Sequence, residues 1–207
     1  MENTNETPDF SAMAKNLLEN AHRYAGSEAV KFFKESFVKQ GFIDKSLTAW
    51  QKTMNPLVGK RTLYKQGVLM QSIRKVQETP ERIVVESDTP YSEIHNEGGE
   101  ITVTKAMKAH FWKLYYEFAG HSKKVSETAP LRKRRSKKDA KMEYSKSVTL
   151  KIEKLNAQAE FCKRMALMKE GSKIKIPKRQ FMGHSDTLVK QFDKWFTGEI
   201  STQFNKE

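Results

Sequence analysis

The 207-residue chain has one cysteine, Cys162, so it forms no internal disulfide. That suits a reducing compartment. No apolar run reaches the roughly 18 residues of a membrane-spanning helix. Met1 to Phe10 lack the basic start and apolar stretch of a secretory signal, so the expected place of synthesis is the cytoplasm. Paired-cysteine and His-x-x-x-His spacings are missing, as are a glycine-rich phosphate loop and a serine elbow. No catalytic, cofactor-binding or metal-ligating residues are therefore assigned, and no cofactor is expected. Acidic residues are scarce in one place. Residues 105 to 180 carry 22 Lys or Arg against 7 Asp or Glu, a net of +15. The whole chain carries +13, so the remainder is nearly balanced at −2.

What is present suits a polar globular chain with one core and an insertion: 37% hydrophobic and 30% charged residues. Residues 10 to 40 carry Leu17, Leu18, Ala21, Tyr24, Ala25, Ala29, Phe32, Phe33 and Phe37 at spacings of three and four, which predicts helix. Gly26 and Ser27 are candidates to split it in two, with Ser27 as N-cap and Gly41 as the final C-cap. Residues 42 to 60 show no periodicity and read as a loop that packs Trp50. Gly67 to Ile73 reads as a short helix leading into a strand. Thr79-Pro80-Glu81 is a turn signal, and Arg82 to Asp88 is rich in β-branched residues, so a hairpin is expected.

A short helix is expected from Pro90, capped by Thr89 or Asp88 and ended by Gly98-Gly99. Glu100 to Thr104 reads as a strand with Ile101 and Val103 on one face. Lys105 to Phe118 reads as an aromatic helix, and 119 to 137 as the most mobile part. Lys138 to Glu170 has neither Gly nor Pro and reads as a long helix ended by Gly171. A strand from Lys173 to Pro177 and a helix from Asp186 to Trp195, opened by Ser185 or Asp186, complete the chain. The expected fold is α+β: N-terminal helices, a small antiparallel sheet, a long helical insertion and a C-terminal helix. The expected division is a flexible 1–9, a core of 10–104 and 172–197, a basic insertion of 105–171 with a flexible loop near 119–140, and a tail of 198–207.

Three segments carry a resemblance. Leu63-Tyr64-Lys65-Gln66-Gly67-Val68-Leu69-Met70-Gln71-Ser72-Ile73 is the first. Pro90-Tyr91-Ser92-Glu93-Ile94-His95-Asn96-Glu97-Gly98-Gly99 is the second. Ile176-Pro177-Lys178-Arg179-Gln180-Phe181-Met182-Gly183 is the third. Together and in this order they resemble the phage virion morphogenesis family, which includes the tail-completion proteins of Mu-like phages. The likeness spans roughly 30–102 and 172–197. Ser92, Glu97 and Gln180 depart from the family pattern, and 103–172 is longer than in compact members. The resemblance implies a structural protein of tail completion or head–tail (neck) joining, without catalytic activity. It implies tail tube, terminator or neck proteins as partners, a homo-oligomeric ring, six-membered by family expectation, and a place in the host cytoplasm and then the virion.

The motif residues also have physical readings. Gly98-Gly99 permits positive φ. Tyr91 and Ile94 lie one turn apart and are expected to face the core together. Pro177 suits a strand end, Phe181 a core anchor and Gly183 a turn. Arg179 is a candidate to pair with Glu93 or Glu97. His95 and His184, near Glu93, Glu97 and Asp186, read as hydrogen-bonded structural residues before metal ligands. His110 and His121 read as surface residues, and Cys162 as inert packing.

The run from Arg132 to Lys141, with Arg132, Lys133, Arg134, Arg135, Lys137 and Lys138, has seven basic residues and one acidic. It suits a solvated loop, an acidic protein partner or DNA. Phe111, Trp112, Tyr115 and Tyr116 suit stacking on single-stranded bases. Spread around several helix faces, they suit packing of the insertion on itself or on a neighbouring subunit better. Nucleic-acid binding through the basic insertion is the alternative function, and DNA contact is not favoured.

Overall fold

The computed structural model describes residues 9–59, 61–128 and 138–204. The fold is α+β, in two compact units. One takes Met1–Lys52, Arg61–Gly99 and Pro177–Glu207. The other takes Thr53–Lys60 and Glu100–Ile176. The sequence boundaries at 105 and 171 thus fall inside the second unit.

The first unit is built on α1, Phe10–Lys39. Asp9 caps it: its carboxylate accepts from the Ser11 and Ala12 N–H groups, both at 3.0 Å. Gly26 does not split the helix. It is buried, and a Cβ there would lie 2.7 Å from Lys75 Cδ and 3.3 Å from Ile83 Cγ2. The glycine lets the segment from Ile73 to Ser87 pack close against the helix. Nor is Gly41 the C-cap. Gln40 takes the left-handed conformation, φ 55°, and its N–H reaches the Ser36 carbonyl. Gln40 replaces what a glycine would give with side-chain bonds: Nε2 donates to the Phe37 carbonyl at 2.7 Å, and Oε1 accepts from the Thr62 N–H at 2.6 Å.

Gly41 instead begins β1, Gly41–Ile43, which pairs antiparallel with β2, Leu47–Ala49. The expected loop over 42 to 60 therefore starts with a hairpin. Its strands are three residues each, too short to show alternation. Then come α2, Val68–Gln71, β3, Ile73–Glu78, and β4, Ile83–Ser87. β3 and β4 form the expected antiparallel hairpin, with a register shift between Lys75 and Gln77. The Thr79–Arg82 turn closes it with N–H to carbonyl bonds in both directions, 2.9 and 3.2 Å. α3 spans Ser92–Glu97, and its N-cap is Tyr91. The helix starts later than expected, and neither Thr89 nor Asp88 caps it.

The unit ends on α6, Asp186–Phe204. It continues well past Trp195, so most of the expected 198–207 tail is helix. Tyr24 stacks on Trp195 at 4.1 Å and ties it to α1. The core holds Phe32, Phe33, Phe37, Phe42, Trp50, Leu69, Ile73 and Phe181. Phe37 is fully buried, edge-on to Trp50 at 5.3 Å and tilted against Phe181 at 5.2 Å.

The second unit contains β5, Gly99–Thr102, paired with β6, Lys173–Ile176. Its body is α4, Lys105–Thr128, packed on α5, Lys138–Leu167. The expected single sheet is thus three separate two-stranded pairings among the described residues. Ala159, Cys162 and Ala166 are buried at helical spacing on α5, and Phe111 meets Phe161 edge-on at 6.1 Å. Ser122 Oγ donates to Asn156 Oδ1 at 2.6 Å. Packing on α5 carries α4 straight through Gly120, where a mobile stretch was expected. The interior glycine costs about 1 kcal/mol of propensity, which tertiary contact outweighs. Val103, not Ile101, is the buried member of β5's end: Val103 is 1% exposed and Ile101 37%.

Truncating Phe37 to Ala should lower unfolding free energy by about 3–5 kcal/mol in a denaturant titration. Val38→Ala, at a position 61% exposed, should change it by less than about 1 kcal/mol.

Candidate functional site

The three segments that carry the resemblance meet in the first unit. Asn96, within the second segment, does most of the joining. Its Oδ1 accepts from the Phe181 N–H at 2.9 Å and the Met182 N–H at 3.0 Å. Its Nδ2 donates to the Met182 carbonyl at 3.2 Å and to Glu97 Oε1 at 2.6 Å. The Arg179 N–H adds a bond to the His95 carbonyl at 2.8 Å. The third segment is thereby fixed along α3 much as a strand would be, with a side-chain amide standing in for backbone partners.

From there the segment enters the core. Phe181 is 1% exposed. Trp50 Nε1 donates to the Gln180 carbonyl at 2.7 Å. Gly183, φ 142°, turns the chain toward α6, and a Cβ there would lie 2.7 Å from Gln180 Nε2. Ile176 closes β6, and Pro177 follows it. The first segment contributes buried Leu69 and Ile73, with Leu63 packed on the same cluster. Gly67 has φ 76° at the start of α2, and Ser72 Oγ bonds the Leu69 carbonyl at 2.8 Å and Ser87 Oγ at 2.6 Å.

Three expectations are corrected. Arg179 is not the ion-pair partner of Glu97: Lys178 is, at 3.0 Å, and it holds the Glu97 carboxyl below its ordinary range. Arg179 is buried, and its Nε donates to the Gln51 carbonyl at 3.0 Å. Tyr91 does not face the core with Ile94. It is 41% exposed and lies edge-on to His95. His95 is not hydrogen-bonded through Nδ1, which is buried without a partner among the described residues. Burial, with Arg179 close by, depresses its pKa. Gly98 takes positive φ, 78°, as the glycine pair suggested, while Pro90 precedes α3 and is exposed.

A second tie, unread in the sequence, joins the β1–β2 hairpin to α6. Asp44 Oδ1 accepts from the Asp186 N–H at 2.8 Å, and Ser185 Oγ donates to the Ile43 carbonyl at 2.8 Å. Ser185 also accepts from the Leu188 N–H at 3.2 Å, which makes it the N-cap. His184 bonds Asp186 at 3.0 Å, and that bond, with Lys45, lowers the Asp186 pKa. Among the described residues no group of three or more His, Cys, Asp or Glu could share a metal ion. Beside the Asn96 junction lies an open, mostly apolar groove of about 630 Å³, lined in part by Phe33, Val85, Met182, Leu188 and Phe192.

In the second unit Cys162 is fully buried, and burial raises its thiol pKa. His110 and His121 are exposed. The aromatics of α4 are not scattered. Phe111 turns to α5, while Trp112, Tyr115 and Tyr116 touch one another at 5.2–5.9 Å in one patch. Tyr116 is 68% exposed. Arg132, Lys133, Arg134, Arg135 and Lys137 lie outside the described residues; Lys138 opens α5. No helix among the described residues is long and apolar enough to cross a membrane. No protein family, curated protein or solved structure matches the chain.

Asn96→Ala leaves two backbone donors without their acceptor, and should lower unfolding free energy by about 2–4 kcal/mol. Lys178→Ala, which removes an exposed ion pair, should cost less than about 1 kcal/mol. Denaturant titration of both variants checks the ranking. His95 gives a pH signature. Its folded pKa is depressed, so the unfolded chain binds the proton more readily. Stability should be full above the unfolded value near 6.5 and fall as pH drops below it. Melting curves of wild type and His95→Gln, compared between pH about 7.5 and 5, should show a smaller acid loss in the variant.

Proposed function

We propose that the chain is a structural protein of phage particles, acting in tail completion or head–tail joining through contacts with other virion proteins. The observation that carries the reading is the convergence of the three resembling segments on one junction around Asn96 and Phe181. Segments more than a hundred residues apart share one core, as parts of a single inherited fold would. The junction's polar groups hold chain to chain: the Asn96 amide, the Arg179 backbone N–H and the Lys178–Glu97 pair all bond within the protein. Such an arrangement makes a rigid body whose outer faces are available for docking. On this reading the chain has no catalytic role. Its partners are tail tube, terminator or neck proteins and other copies of itself in a ring. It works in the host cytoplasm and then in the virion.

The test is to disrupt the gene in the genome that encodes it and to image the particles by negative-stain electron microscopy. Tailless capsids, or tails unjoined from heads, rescued by the chain supplied in trans, are the expected result. Normal tailed particles that lack the chain by mass spectrometry would overturn the reading.

A further inference from the structure

We propose that the apolar groove beside β4 takes an extended segment of a different protein chain as an added β-strand. The groove lies wholly within the first unit. β4 and α6 both pack on α1 or its neighbours, and all three helices and strands line the groove, so it runs over α1 between β4 and α6. Its floor holds Ala25 and Ala29, one turn apart on α1. One wall is β4, through Ile83 and Val85, which lie two residues apart and share a face. The other wall includes Leu188 and Phe192 of α6. No β3 residue lines the groove, so β4 stands between it and β3.

Two properties select the occupant. The first is backbone. β4 belongs to a two-stranded sheet, so its edge turned away from β3 is unpaired. Among the described residues, Ile83–Ser87 makes no backbone–backbone hydrogen bond except to β3. Ser87, at its end, also accepts from Ser92 Oγ at 3.5 Å. An open row of N–H and C=O groups is matched by an extended chain, whereas a helix has no free backbone groups to offer along its length. Alternate side chains of an added strand would point to the apolar floor, where the two alanines leave room for them. The second property is charge. The charged residues that line the groove are both acidic, Glu28 and Glu97. Lys31 and Lys178 hold them at 3.4 and 3.0 Å. Glu86, on β4 itself, is exposed, and its cross-strand neighbour Arg74 is held instead by Asp88 at 3.2 Å. The segment that fits has apolar residues facing α1 and lysines facing out beside Glu86. This chain offers none of its own outside the described residues: Met1–Pro8, 129–137 and 205–207 nowhere alternate apolar with polar residues over five positions. A second copy would bring its β4 edge with its own α6 beside it, and the two helices would meet before the edges.

The test uses the full chain, isotope-labelled for NMR, and a short peptide that alternates valine with lysine and threonine. Saturable binding with a Kd of about 1 mM or tighter is expected. Chemical shifts should move along Ile83–Ser87, and alternate amides of β4 should gain protection from hydrogen exchange. Two N-methylated versions, at odd or at even amides, keep the side chains. One should bind about tenfold more weakly or worse, and the other like the parent. Val189→Glu puts a charge on the groove lining at a position 46% exposed, so the fold should persist by circular dichroism while binding falls about tenfold. Several results would each overturn the proposal: no saturable binding, shifts away from β4, equal binding of a helical peptide of the same composition, or both N-methylated versions binding like the parent. So would β4 amides protected in the protein alone with a doubled mass by light scattering, since a second copy would then hold the edge. These readouts need only the purified chain, so they can fail where the particle test succeeds and succeed where it fails.

Discussion

The fold of the first unit depends on the return of residues 179–182 to a core begun far earlier in the chain. Phe181 supplies the ring that completes the packing around Phe37 and Trp50. The backbone on either side of it would be costly to bury unbonded, since each unpaired donor or acceptor costs about 1–3 kcal/mol. Asn96, Trp50 and the His95 carbonyl remove that cost. The apolar anchor and the polar clamp therefore need each other. A helical pair can be carried between Gly99 and Pro177 because both ends of the excursion are tied at this junction.

Two glycines and one glutamine show how local geometry follows from that packing. Gly26 lies in mid-helix where the β3–β4 hairpin packs close, and a Cβ there would press on the Lys75 and Ile83 side chains. Gly183 takes a conformation that side chains rarely adopt, at the point where the chain leaves the core for α6. Gln40 ends α1 in left-handed geometry and offsets the strain with hydrogen bonds to Phe37 and Thr62. Arg179 is buried and His95 half-buried beside the junction. One bonds a backbone carbonyl, and the other has a ring nitrogen without a partner among the described residues.

Long periodic elements were legible in the sequence: α1, the β3–β4 hairpin, α5 and the opening of α6 follow from spacing and turn signals. What was hidden depended on tertiary contact. Gly26 and Gly120 read as breaks because propensity speaks for an isolated helix, whereas packing decides inside a protein. The β1–β2 hairpin is too short for periodicity to show. Of the site, the motif segments were visible but not their chemistry. Lys178 and Arg179 are neighbours, and only the burial of Arg179 decides which of them takes Glu97. Asn96 carried one cue, a polar residue two positions before a glycine pair, and nothing in sequence says that it reaches residue 182. The charge of the insertion was visible too. Its aromatic order on α4 emerged once Phe111 was seen to turn to α5 and the other three rings to gather.

A rigid junction that unites three segments is the central physical claim, and amide hydrogen exchange on the native protein tests it most directly. The Phe181 and Met182 amides lie outside regular secondary structure, yet both donate to Asn96. They should exchange as slowly as the buried turn of α1 around Phe33 and Phe37, opening only with the whole unit. Exchange at the rate of an exposed loop, with α1 still protected, would contradict the account. It would mean that the third segment rests against the core without being part of it.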